Sequence, residues 1–162
     1  MRFHKAAALL ALTIGLGGCA QQQVVQYPPF PSQEYAKLKR TGTAAVSGQA
    51  FLRTKGGDVK VGAGSEILLI PVTSYSQVFY NAYKSRKPLG PNDPAVKQYT
   101  IRTQADATGA FEFKAVPEGS YYLAGDVVWQ APTQFGLARQ GGMIVKEISV
   151  RDGDQVKVML TE

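Results

Sequence analysis

The sequence predicts an all-β domain: a seven-stranded antiparallel β-sandwich with one short helical insertion. Three observations predict it. From Thr41 onward, apolar and polar residues alternate with period two in short runs, the spacing of strands buried on one face. Turn signals built on Gly, Asp and Pro separate the runs, and no segment carries the sustained three-to-four spacing of a long amphipathic helix. The 162 residues are 44% hydrophobic, enough for one sizeable core and too few for two.

In chain order, the first element is a leader. Met1-Arg2-Phe3-His4-Lys5 is a charged start, Ala6 to Leu16 is apolar, and Gly17-Gly18 are small residues before Cys19. Eleven apolar residues rise about 16 Å as a helix, well short of the ~30 Å hydrocarbon core, so residues 1–18 read as a signal peptide rather than a membrane span. Leu16-Gly17-Gly18-Cys19 resembles the lipobox of bacterial lipoproteins. That resemblance implies cleavage before Cys19, acylation of its sulfur and of the new amino group (palmitate-type lipidation), and stable anchoring by several chains. Ala20, in place of Asp, implies sorting to the bacterial outer membrane, with the domain in the periplasm. Cys19 is also the sole Cys, so acylation would consume a thiol otherwise left unpaired in an oxidising compartment.

Residues 19–40 are expected to be a lipidated tether. Ala20 to Ser32 has no charged side chain, a run of three Gln, and Pro28, Pro29 and Pro31, a composition that favours extended backbone over a packed core. Gln33 to Arg40 is expected to add one or two helical turns. Residues 41–162 form the domain. Ala44, Val46, Gly48, Ala50 and Leu52 share one face of a first strand; Gly56-Gly57 turns the chain into Val59-Lys60-Val61; Glu66 to Val72 is a nearly continuous apolar run suited to a strand covered on both faces. Tyr99 to Thr103 and Phe111 to Lys114 alternate around the Asp106-Ala107-Thr108-Gly109 turn. Tyr121, Leu123, Val127 and Trp129 share a face of the next strand, and Met143 to Val150 and Gln155 to Leu160 meet at Asp152-Gly153-Asp154.

Thr103, Asp106, Gly109, Phe111, Phe113, Val116-Pro117, Gly119, Tyr121 and Leu123 are spaced as in the carboxypeptidase regulatory-like domains, and Gly62 to Leu69 resembles the same family's preceding strand. The resemblance implies a transthyretin-like (prealbumin-like) sandwich and a non-catalytic module. The residues themselves read as structural: Asp106 and Thr108 for hydrogen bonds in the turn, Gly109 for positive φ, and Phe111 and Phe113 for the core.

The chain departs from that pattern by inserting residues 73–98, a connection long enough to require structure or function of its own. Aromatic spacing there predicts a helix from about Ser76 to Lys84, with Ser74 as N-cap. Tyr75, Phe79, Tyr80, Tyr83, Arg86 and Lys87 are the candidate binding surface, rings for a sugar face or an apolar partner beside cations for an anionic group. The competing and favoured reading is that these rings seal one side of the sandwich. Gln130 to Gly142 reads as a Gly-rich loop carrying Phe135 and Arg139. Asp152 and Asp154 read as a turn rather than calcium ligands, and Asp126 is the one acid singled out for inspection.

Composition excludes several chemistries. The one His, His4, lies in the signal, so the mature chain has no histidine for acid-base, nucleophilic or metal work, and its sole thiol is the lipid site. Processing also removes Arg2 and Lys5, leaving 16 basic against 12 acidic side chains, net +4. No metal, cofactor or enzymatic activity is expected, and no nucleic acid partner, because the cations form no dense groove interleaved with aromatics. The expectation is therefore an outer-membrane-anchored periplasmic lipoprotein acting as a structural or interaction module. The alternatives are a carbohydrate or cell-wall polymer binding module and an accessory lipoprotein of a secretion or envelope complex. The expected partners are the membrane, through Cys19, and an envelope protein or an anionic glycan.

Overall fold

The computed structural model describes residues 23–162; the expected signal peptide, residues 1–18, and the expected lipid site, Cys19, lie outside the described residues. Eight strands form two four-stranded sheets: β1 (Ala44–Arg53), β2 (Val59–Val61), β3 (Glu66–Pro71), β4 (Ile101–Gln104), β5 (Ala110–Val116), β6 (Gly119–Thr133), β7 (Gly136–Val150) and β8 (Gln155–Leu160). One sheet is built on β1, which pairs with β2, β5 and β8; the other runs β4-β3-β6-β7. The alternating apolar positions of both sheets meet in one core. Val46, Ala50, Phe111, Phe113 and Leu160 from the first sheet pack with Ile67, Leu69, Leu123, Val127 and Ile144 from the second.

The sandwich thus matches the expected class and differs in count and sense. Among the described residues there are eight strands rather than seven, and β8 lies parallel to β1, from Ala45↔Gln155 to Ala50↔Leu160, so the first sheet is mixed. The physical reason is the route of the chain after β7. The Arg151–Asp154 turn, closed by the Asp154 carboxylate accepting from Arg151 N at 2.9 Å, carries it to the other sheet instead of back along β7. Gly48 permits the close packing this requires: a Cβ there would lie 1.8 Å from the Val158 carbonyl oxygen and 2.8 Å from Phe111 Cζ.

The turn between β4 and β5 is built as its residues dictate. The Asp106 carboxylate accepts from Thr108 N (2.7 Å), Thr108 Oγ1 (2.7 Å) and Ala110 N (3.0 Å), and Gly109 takes φ 79°. Those donors hold the Asp106 carboxyl below its ordinary range, the Thr108 hydroxyl contributing most. Tyr121 donates its hydroxyl to the Pro117 carbonyl at 2.8 Å, bracing the next corner.

Within the segment expected to be a tether, residues 25–38 pack on the domain. Val25 bridges to Leu89, with Val25 N donating to Pro88 O and Gly90 N to Val25 O, both at 2.8 Å. A single helical turn, α1 (Ser32–Tyr35), then buries Tyr35. The polar, Pro-rich composition concealed this because the apolar contribution comes from three well-spaced rings, Tyr27, Phe30 and Tyr35, which find partners only in the folded domain.

Candidate functional site

The insertion does form a helix, α2 (Ser74–Lys84), two residues earlier than the spacing predicts. Thr73 rather than Ser74 is its N-cap: Thr73 Oγ1 accepts from Ser76 N (3.1 Å) while Ser76 Oγ accepts from Thr73 N (2.9 Å), a reciprocal box that satisfies two end donors. Ser74 instead donates its backbone N–H (2.9 Å) and its hydroxyl to the Glu34 carboxylate. Those two bonds, the hydroxyl's first, hold the Glu34 carboxyl below its usual range.

The rings of α2 are occupied. Tyr75 is buried, stacked on Tyr27 at 4.5 Å between centroids and edge-on to Phe30 and Tyr35, with its hydroxyl accepting from Asp93 N at 2.7 Å. Tyr80 stacks on Tyr122 at 4.5 Å, Tyr83 accepts from Val145 N at 3.3 Å, and Phe79 packs with them on the outer face of β3, β6 and β7. A cavity of about 160 Å³ among Tyr27, Tyr75, Phe79, Val96 and Ala124 is almost wholly apolar. Burial chiefly, then the neighbouring Tyr75 and Tyr35, pushes the Tyr27 phenol up to about 12, and burial likewise raises Tyr35. Arg86 and Lys87 are exposed beyond the end of the helix, Arg86 at φ 51°.

The groove between the N-terminal segment and the sheet ends, about 140 Å³, has also used its polar groups. Lys39 pairs with Glu118 at 2.6 Å, and Arg40 lies 4.2 Å over the Tyr99 ring and donates to Gln98 O at 2.8 Å.

At another part of the molecule, the β1–β2 hairpin and the β6–β7 ribbon enclose an open concavity of about 580 Å³. Trp129, the one tryptophan of the chain, stands on its wall among Gln130 and Gln140 from the ribbon and Arg53, Lys55, Asp58 and Lys60 from the hairpin. The ring is only half-buried, and it has this position because of the residue beside it. Gly141, at φ 83°, carries no side chain where a Cβ would lie 2.7 Å from Trp129 Cζ3. Lys60 comes within 4.0 Å of Asp58, and no ion pair engages Arg53 or Lys55 among the described residues. An aromatic wall with amide and cationic groups around it can stack on the apolar face of a sugar ring and bond its hydroxyls or an anionic substituent.

Sequence reasoning placed Trp129 on the core-facing side of its strand and read Gln130 to Gly142 as an irregular loop. The first holds: Trp129 is on the inner face, partly buried against the main core. The second is corrected. The loop is a continuous ladder from Gly119↔Val150 to Thr133↔Gly136, so Arg139 sits on a regular ribbon and Phe135 in the two-residue turn at its tip. The sequence offered only that Trp129 is the chain's one Trp; the pairing that sets Gly141 beside it is non-local. Asp126 is exposed, opposite Met143, and no second acid joins it across the ladder.

No family model matches the chain, and no curated protein does. Among solved structures, the fold is similar to that of a Pseudomonas aeruginosa protein described as a "putative carbohydrate binding protein", with a TM-score of 0.76 and 28% identity, covering 84% of this chain and 99% of that one.

Proposed function

We propose that this chain is a non-catalytic carbohydrate-binding module of the bacterial envelope, with its glycan seated in the concavity around Trp129. The observation that carries the reading is Trp129 itself: a large, partly exposed ring given room by a glycine neighbour, on the wall of an open concavity, beside Gln140, Arg53 and Lys55. The likeness to the Pseudomonas aeruginosa protein supports the same class of ligand. The earlier candidate, Tyr75 to Lys87, is the poorer site because its rings already have partners. Cys19, by its lipobox, would hold the module to the outer membrane on the periplasmic side.

Two experiments test the two halves. Trp129 emission, unique in the chain, is titrated with soluble cell-wall and polyuronate fragments. A saturable change that Trp129→Ala abolishes in a direct binding assay supports the site, and absence of binding to any of them contradicts it. Metabolic labelling with an alkyne fatty acid should mark the wild type and not Cys19→Ser; an unlabelled wild type contradicts the anchor.

A further inference from the structure

Half of the eight most exposed large apolar side chains among the described residues lie on one feature, the β6–β7 ribbon: Val128, Phe135, Leu137 and Met143. Phe135 is 91% and Leu137 73% exposed, values that an isolated soluble surface rarely leaves two residues apart. Beyond Gly125, β6 pairs with β7 alone, so the ribbon extends past the sheet that supports its base. Its tip is preorganised rather than loose. Thr133 Oγ1 donates to Gly136 O at 2.7 Å and accepts from Phe135 N at 3.2 Å, and Gly136 takes φ 109°.

Pairing and the alternation of burial sort the ribbon into two faces. Trp129 and Gln140 share the inner one, toward the concavity; Val128, Pro132, Leu137, Arg139 and Met143 share the outer one. The charge is equally one-sided: residues 127–146 contain no acid, and their two cations are Arg139 and Lys146, of which Lys146 is engaged with the Met159 carbonyl at 2.7 Å.

The geometry points to the ribbon tip as a membrane-inserting finger, with Phe135 and Leu137 entering the headgroup–acyl boundary of an anionic phospholipid surface and Arg139 meeting the phosphates. The dimensions agree. Strands rise about 3.4 Å per residue, so Phe135 to Leu137 spans roughly 7 Å and Arg139 lies roughly 7 Å further back. Interfacial segments bury their apolar face about 5–10 Å deep, which immerses the first two side chains and leaves the guanidinium at headgroup level. Distal to Asp126 and Glu147, which lie at its base, the ribbon carries no acid, as such a surface selects, since carboxylates would be repelled by it. The finger is independent of the glycan reading, because Trp129 is on the opposite face and roughly 17 Å from the tip.

The test moves the single indole to the tip. The full-length processed chain carrying Trp129→Phe and Phe135→Trp is reconstituted into phosphatidylcholine vesicles with and without phosphatidylglycerol, and quenching by brominated lipids is measured. The expected result is several-fold stronger quenching of the indole at 135 than of native Trp129, greatest with bromines high on the acyl chain, dependent on phosphatidylglycerol and lost on Arg139→Glu. An indole at 135 that stays water-exposed and unquenched overturns the finger. So does one that is already blue-shifted without lipid and stays unquenched, which would make a second copy of the chain its occupant. Both substituted positions are solvent-accessible, and an unchanged thermal midpoint verifies that the variants fold.

Discussion

The two aromatic regions of this chain differ in one respect. Around α2, Tyr27, Phe30, Tyr35, Tyr75, Tyr80 and Tyr122 are ring against ring, with phenol hydroxyls bonded to backbone and side chains. On the β6–β7 ribbon, Trp129 packs on the core along one side and borders an open concavity, and Phe135 and Leu137 are largely exposed. The first region is far richer in aromatics and is structural; the second is sparse and holds the surfaces free to bind. Aromatic density therefore does not mark a site here. What marks it is a ring face left open beside a concavity, and only the fold reveals which rings those are.

The largest expected effect breaks the first region. Tyr75→Ala removes a buried ring from three aromatic contacts and should cost about 3–5 kcal/mol of stability, the range for large-to-small aromatic changes in cores. Denaturant unfolding measures the loss, and the fraction still folded should bind glycan normally. An α2 ring acting directly on ligand would instead lower affinity at little cost in stability. Trp129→Ala should reverse that pattern, removing about 2 kcal/mol or more of binding, roughly thirtyfold, with the protein still folded.

A pH titration sharpens the contrast. The Tyr27 phenol is raised in the folded chain to about 12 against an ordinary 10.0, so the folded state keeps the proton longer than the unfolded one. Its contribution is fully present below pH 10 and is lost as pH rises from 10 toward 12. Thermal midpoints should fall across that window, and Tyr27→Phe should flatten part of the fall. The smallest effect lies in the β4–β5 turn. Asp106 is depressed, so its contribution is present above its unfolded pKa and is lost as pH falls through the lower folded value. Asp106→Asn should remove that acid-side dependence while leaving both aromatic regions intact.

The strands were legible because burial on one face imprints a period of two; Ala44 to Leu52, Phe111 to Lys114 and Gln155 to Leu160 all lie within strands. The β4–β5 turn was legible because Asp106, Thr108 and Gly109 perform local chemistry. Non-local choices were not. Nothing near Gln155 says that β8 will cross to lie parallel to β1, and nothing between Tyr27 and Tyr35 names Tyr75 and Tyr99 as partners. The ribbon was missed for a related reason. Pro132 and Gly141-Gly142 are loop signals locally, yet the ladder runs through them because it is anchored at its base by Tyr122↔Glu147 and Ala124↔Val145.

The most direct test of the site assignment is in-cell photocrosslinking from two positions in parallel, with a photoreactive residue at Gln140 in the concavity or at Tyr80 on α2. A glycan adduct from Gln140 and none from Tyr80 is the predicted result. An adduct from Tyr80 with none from Gln140 would return the binding surface to the helix and contradict the assignment to Trp129.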